Sequence, residues 1–122
     1  AYDRQGMIAK HLWAASRLIV EPGLHLHGWS RDDAINFMAK NTLLPRAEIE
    51  IEVDRYIAMP GQSLSYMLGA DFLMTAREAA RGELGDDFDI RAFHDVVLAL
   101  GVRTLPQVGE DVRAWMEGES SN

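Results

Sequence analysis

The chain is 122 residues long, 48% hydrophobic and 25% charged, which is the size and balance of one ordinary globular domain. It holds no cysteine, so disulfides and thiolate metal sites are excluded, and its net charge of −7 argues against nucleic acid, whose binding needs a basic footprint. The longest uncharged run, Tyr56 to Ala70, is 15 residues with Pro, Gly, Gln and Ser inside it. That falls short of the ~20 apolar residues of a spanning helix, and no membrane partner is expected.

The charge is unevenly spread. Residues 1–44 carry five Lys/Arg against four Asp/Glu, and residues 45–122 carry seven Arg against fifteen Asp/Glu. The acidic part reads as a solvated surface, while the near-neutral first third can pack against something else. The sequence opens at Ala1 directly into patterned sequence, with no basic leader and apolar core of a signal peptide. Such a start suits an excised domain or a processed product, and the cellular compartment stays unknown.

Six segments have helical spacing and none makes a convincing strand, so the expected fold is all-α, an array of about six helices in one domain over 1–122. The first helix spans Arg4 to Val20, with Ile8, Leu12, Ala15 and Ile19 as its inward stripe, and Glu21-Pro22-Gly23 ends it. Ser30 caps the second with Asp33 three residues on, ahead of Ala34, Ile35 and Met38, and Asn41 stops it. Pro45 opens the third, whose stripe is Ile49, Val53, Tyr56 and Ile57. Pro60 opens the fourth and longest, to about Arg81, with Leu64, Leu68, Phe72, Ala76 and Ala79 inward and Gly82 and Gly85 breaking it. Asp89 caps the fifth, where Phe88 can staple onto Phe93 and Val96, Val97 and Leu100 continue the face. Thr104 caps the sixth, carrying Leu105, Val108, Val112 and Trp115, and residues 118–122 form a frayed tail. Trp13, Trp29 and Trp115 read as core or interface aromatics.

No phosphate loop, serine elbow or His-Glu-x-x-His helix is present. Two places can carry chemistry. In the loop Pro22 to Trp29, His25 and His27 alternate with Leu24 and Leu26, so one ring faces the protein and the other solvent. They can bond a backbone carbonyl, or donate to a substrate carbonyl or carboxylate. A metal site wholly within the chain would need a third ligand that this loop lacks. The second place is the uncharged window, where Gln62, Ser65 and Tyr66 are neutral hydrogen-bonding groups around a helix start and Gln62 and Tyr66 share a face. It reads either as a buried, satisfied helix end or as a pocket.

Four strings then point to one family: Leu12-Trp13-Ala14-Ala15-Ser16-Arg17-Leu18-Ile19-Val20-Glu21-Pro22-Gly23-Leu24-His25, His27-Gly28-Trp29-Ser30, Glu52 through Gly69, and Phe88 through Asp95. The most specific is Arg55-Tyr56-x-x-x-Pro60-Gly61-Gln62-x-x-x-Tyr66-x-x-Gly69. Together they resemble the C-terminal end of the bacterial domain-of-unknown-function family 885 (DUF885), whose members look like α-helical zinc metallopeptidases. The resemblance implies an excised C-terminal portion of a larger helical fold, several times this length. The family's metal helix, His-Glu-x-x-Pro-Gly-His-His, and its further Glu are not in this chain. No cofactor is therefore expected here, and zinc is implied for the intact protein.

The family's loop usually reads Arg-Leu-Val-Val-Asp-Thr-Gly-x-His, so Glu21 and Pro22 stand here in place of Asp and Thr. By position the resemblance assigns His25 and Tyr66 the catalytic task of donating hydrogen bonds to a scissile carbonyl. It leaves Arg17 and Arg55, with Gln62 and His27, for substrate binding, and assigns this chain no metal ligand. The implied partners are the N-terminal catalytic part of the same protein and a peptide substrate. Apolar surface left by that missing part would also pair two copies as a homodimer. The fragment alone should be inactive. The alternative is a non-catalytic helical binding or scaffolding domain that uses the Tyr56 to Ala70 surface.

Overall fold

The computed structural model describes residues 2–119, which form six α-helices and no strand. These are α1 (Tyr2–Leu26), α2 (Arg31–Asn41), α3 (Arg46–Ala58), α4 (Ser65–Leu84), α5 (Ile90–Leu98) and α6 (Leu105–Glu119), with short 3₁₀ turns at Gln62–Leu64 and Gly85–Asp87. The all-α expectation holds. The chain divides into two compact units, residues 1–68 and 69–122, each with its own apolar cluster. No helix among the described residues is long and apolar enough to cross a membrane.

The first unit is built by α1, α2 and α3 around Val20, Ala34, Ile35, Met38, Ile49, Val53 and Tyr56, all fully buried. Trp13, Leu24, Trp29, Phe37 and Leu44 pack on that group. Ser30 caps α2 through a complete capping box: its hydroxyl accepts from the Asp33 amide, and Asp33 accepts from the Ser30 amide. Arg31 on α2 forks onto Asp54 on α3 at 2.6 and 3.0 Å.

Helix α1 departs from the sequence expectation in two ways. It does not stop at Glu21 but runs through Pro22 to Leu26. A proline inside a helix loses one hydrogen bond and crowds the preceding turn, at ~3 kcal/mol. Tertiary contacts outweigh this, because Val20 and Glu21 are buried and Gly23 lies against Trp29 so closely that a Cβ there would sit 2.5 Å from the indole. The expected inward stripe is also turned outward: Ile8, Leu12 and Ile19 are 55%, 43% and 51% exposed. The face that packs is Trp13, Ser16, Arg17, Val20 and Leu24, a row containing the polar residues that a hydrophobicity reading passes over.

Further along, Ile49, Val53 and Tyr56 are buried as expected, but Ile57 is 43% exposed. Pro60 does not open α4. Gly61 takes a left-handed φ of 83°, the 3₁₀ turn follows, and α4 begins at Ser65. At 20 residues α4 is shorter than α1, which has 25. Leu68 is exposed, and Gly82 lies inside the helix rather than breaking it.

The second unit centres on Ala80, Phe93, Val108 and Val112, with Phe72, Ala76, Phe88, Val96, Val97 and Trp115 against them. The staple forms, with Phe88 and Phe93 ring centroids 6.3 Å apart. Asp89 caps α5 by accepting from the Arg91 amide. Leu100, placed on that face by its spacing, is 67% exposed because the helix has already ended at Leu98. Arg103 donates to the carbonyls of Val96 and Val97 and pairs with Asp111, tying the end of α5 to α6. Of the tail expected to fray over 118–122, Gly118 and Glu119 belong to α6, and residues 120–122 lie outside the described residues.

Candidate functional site

Successive steps of four place Trp13, Arg17, Glu21 and His25 in one row along α1. Facing this row, α3 offers Glu52, Arg55 and Tyr56, the turn after it offers Gly61 and Gln62, and the first turn of α4 offers Tyr66. The two sets meet around a buried guanidinium. Arg17 is 5% exposed, with its Cζ 4.0 Å from the Trp13 ring centroid, 5.1 Å from that of Tyr66 and 5.7 Å from that of Tyr56. A weakly hydrated planar cation suits such aromatic walls better than an ammonium would.

Its charge is balanced by Glu52, whose Oε2 lies 3.7 Å from Arg17 Nη2. The same carboxylate takes a fork from Arg55, at 2.7 Å from Nη2 and 3.3 Å from Nε. Burial pushes the Glu52 carboxyl up, but hydrogen bonds from Arg55 and Tyr56 and the charges of Arg55 and Arg17 outweigh it, leaving the group below its ordinary value. The Arg55 guanidinium is held above its ordinary value, chiefly by its hydrogen bond to Glu52. Burial raises the Tyr56 phenol, whose oxygen accepts from Trp13 Nε1 at 3.0 Å.

From Arg55 a chain of donors leads outward. Arg55 Nη1 donates to Gln62 Oε1 at 2.6 Å, which fixes the amide so that its Nε2 faces Tyr66 Oη at 3.4 Å. With its oxygen accepting from Gln62, Tyr66 keeps its own O–H proton for another acceptor. Tyr66 is 56% exposed, so this proton is offered on a surface whose inner side is charged, stacked and rigid.

The other end of the row is Glu21, 1% exposed. Its Oε1 accepts from the Gly61 amide, and its Oε2 lies 3.3 Å from His25 Nε2. That same ring nitrogen is 3.2 Å from the Tyr56 carbonyl oxygen. His25 therefore sits in the last turn of α1, not in an extended loop, and Glu21 stands at helical spacing from it.

The structure thus brings Arg17, Arg55, Gln62, Tyr66 and His25 into one polar region of the first unit. His27 is exposed beyond the end of α1, and its side chain makes no hydrogen bond or ion pair among the described residues. Arg17 and Arg55 are both engaged by Glu52. Trp13, Glu21 and Glu52 are the members that sequence reasoning passed over. For Trp13 and Glu21 the signal is the four-residue row on α1, which a stop at Glu21-Pro22-Gly23 cuts short; Glu52, on α3, belongs to no such row.

The fold and this corner define a class: an all-α array carrying an aromatic and guanidinium cluster beside an exposed phenol. The chain belongs to the family described as "Bacterial protein of unknown function (DUF885)", which it matches over residues 1–112. It is also similar to a solved chain described as "the putative lipoprotein from Colwellia psychrerythraea", at 37% identity and a TM-score of 0.92. That match covers 94% of this chain and 20% of the other, so this chain spans about a fifth of that protein's length. A search of the curated proteins finds no match.

The zinc implied by the resemblance finds no fit in these residues. Among the described residues no group of three or more His, Asp or Glu side chains is placed to hold a metal ion. His25 Nε2 is already committed to Tyr56 and Glu21.

Proposed function

We propose that this chain forms one wall of the substrate cleft of a larger peptidase-like hydrolase, and that it holds a peptide by its carbonyl oxygen. The observation that carries this reading is the Tyr66 phenol, exposed and accepting from Gln62, which leaves its own proton available to an outside acceptor. Arg17, stacked beneath the ring, keeps positive charge close to where negative charge grows on a carbonyl under attack. Arg55 and Gln62 serve by aiming the phenol. The remaining parts of such an enzyme, including any metal ligand, would come from the rest of the longer protein.

The test uses the full-length protein and a panel of fluorogenic peptides. Tyr66→Phe removes one proton and is expected to lower kcat by ~10²-fold, the usual loss for one oxyanion donor, with KM nearly unchanged. The melting curve should coincide with that of the parent. Unaltered turnover would remove Tyr66 from the site. A second reading, a helical module that binds another protein, is favoured by the outward stripe of Ile8, Leu12 and Ile19 on α1. It predicts no peptide cleavage by the full-length protein under any condition that preserves its fold.

A further inference from the structure

We infer that Glu21 is a positioning residue: from inside α1 it fixes His25 in the Nε2–H form and ties that ring to the Gly61 turn, so that the nitrogen left for a ligand, Nδ1, is an acceptor. The argument starts from the neighbours of Nε2. The Tyr56 carbonyl oxygen at 3.2 Å can only accept, and so can an ionised Glu21 Oε2 at 3.3 Å. A bare Nε2 lone pair would face two oxygens, so that nitrogen carries the proton.

In the neutral ring this leaves Nδ1 without a proton. Nδ1 has no partner among the described residues, and the His25 side chain is 29% exposed. Neutral His25 is thus matched to a ligand N–H, such as a peptide amide or an amino terminus, whereas Tyr66 is matched to a carbonyl.

Glu21 carries the arrangement because its two oxygens do separate tasks. Oε1 takes the Gly61 amide, which anchors the left-handed turn ahead of Gln62, and Oε2 makes no hydrogen bond but lies 3.3 Å from the ring nitrogen, close enough for its negative charge to favour a proton there. A carboxylate this deeply buried is costly to hold, and one that served Gly61 alone would gain nothing from its second oxygen. The relevance to a substrate rests on the proposed cleft; the geometry at His25 does not.

The experiment is ¹⁵N and ¹H spectroscopy of the ring nitrogens in the labelled 122-residue chain, with His25→Gln identifying the His25 signals. The wild-type chain should show His25 with a protonated Nε2 and an unprotonated Nδ1, and a ring N–H signal protected from exchange with water, which His27 lacks. Glu21→Gln keeps the length of the side chain, yet its single amide oxygen cannot serve both the Gly61 amide and the ring. With the Tyr56 carbonyl as its remaining acceptor, the Nε2–H form should then lose population to the Nδ1–H form and the protected ring signal should weaken, while the backbone spectrum outside α1 and the Gly61 turn stays in place. A wild-type His25 protonated at Nδ1, or a tautomer balance and protected signal unchanged in Glu21→Gln, overturns the inference. The wild-type measurement decides even if the variant fails to fold. Neither readout needs catalysis, so a failure of Tyr66→Phe to slow peptide cleavage and a failure here are separate results.

Discussion

Arg17 and Glu52 form the charged centre of the first unit: a guanidinium 5% exposed, held 3.7 Å from a carboxylate that also receives Arg55. Two cations on one anion leave a net positive charge beneath the Tyr66 ring. The pair is asymmetric in consequence, because Arg17 is the more deeply buried partner and pairs with no other carboxylate among the described residues. Glu52→Gln should destabilise the chain by ~2 kcal/mol, somewhat below the loss for a fully enclosed pair, since Glu52 keeps some solvent contact. Arg17→Met in the same chain should restore much of that loss by removing the uncompensated cation. Urea unfolding of the two single variants and the double variant measures the coupling, and strict additivity would show that the two charges do not sense each other.

The same cluster fixes the response to pH. Glu52 has a folded pKa below its unfolded value, so its contribution is present above the ordinary carboxylate pKa, about 4.3, and is lost as pH falls through the lower folded value. Tyr56 has a folded pKa raised above its unfolded value, so its contribution is complete below about 10 and is lost as pH rises towards the folded value. The urea midpoint should therefore be level across neutral pH and fall at both ends. Glu52→Gln should reduce the acid limb and also weaken the alkaline limb, because Glu52 helps hold the Tyr56 phenol up through its hydrogen bond and its charge, while burial, the larger cause, persists.

The helices were legible in the sequence because caps and periodicity are local. Ser30 with Asp33, Asp89 with its Phe88 staple, and the Ile49, Val53, Tyr56 stripe all lie where a short window reads them. What was not legible was which face of α1 packs. Ile8, Leu12 and Ile19 make the better apolar stripe, yet the buried row contains Ser16, which donates locally to the Leu12 carbonyl, and Arg17 and Glu21, whose burial is favourable only because Glu52 and Gly61 meet them from distant positions. The candidate residues Arg55, Gln62 and Tyr66, joined by hydrogen bonds in the structure, were readable from one string. Glu21 was not, because its role depends on α1 continuing past a proline.

That outward stripe has a measurable consequence. Ile19→Lys should change stability by no more than ~0.5 kcal/mol, as at other exposed positions, whereas Ile35→Ala in the core should cost ~2–5 kcal/mol. If the stripe pairs two copies, light scattering of the 122-residue chain gives a dimer mass that Ile19→Lys returns to the monomer. A parent chain that scatters as a monomer at millimolar concentration removes the homodimer.

Pro22 offers the last test, since it stands in mid-helix against its own backbone preference. Its ring deprives the Leu18 carbonyl of a helical partner, while its own carbonyl still accepts from the His27 amide at 3.0 Å. Pro22→Ala should restore the missing hydrogen bond without disturbing that contact. The gain is reduced because alanine also frees the unfolded chain, by about 0.4–1 kcal/mol. The net expectation is a stabilisation of ~2 kcal/mol, seen as a higher urea midpoint at unchanged slope. A loss of stability would mean that the backbone path Pro22 sets is itself required for the contacts of Glu21 with Gly61 and of Gly23 with Trp29.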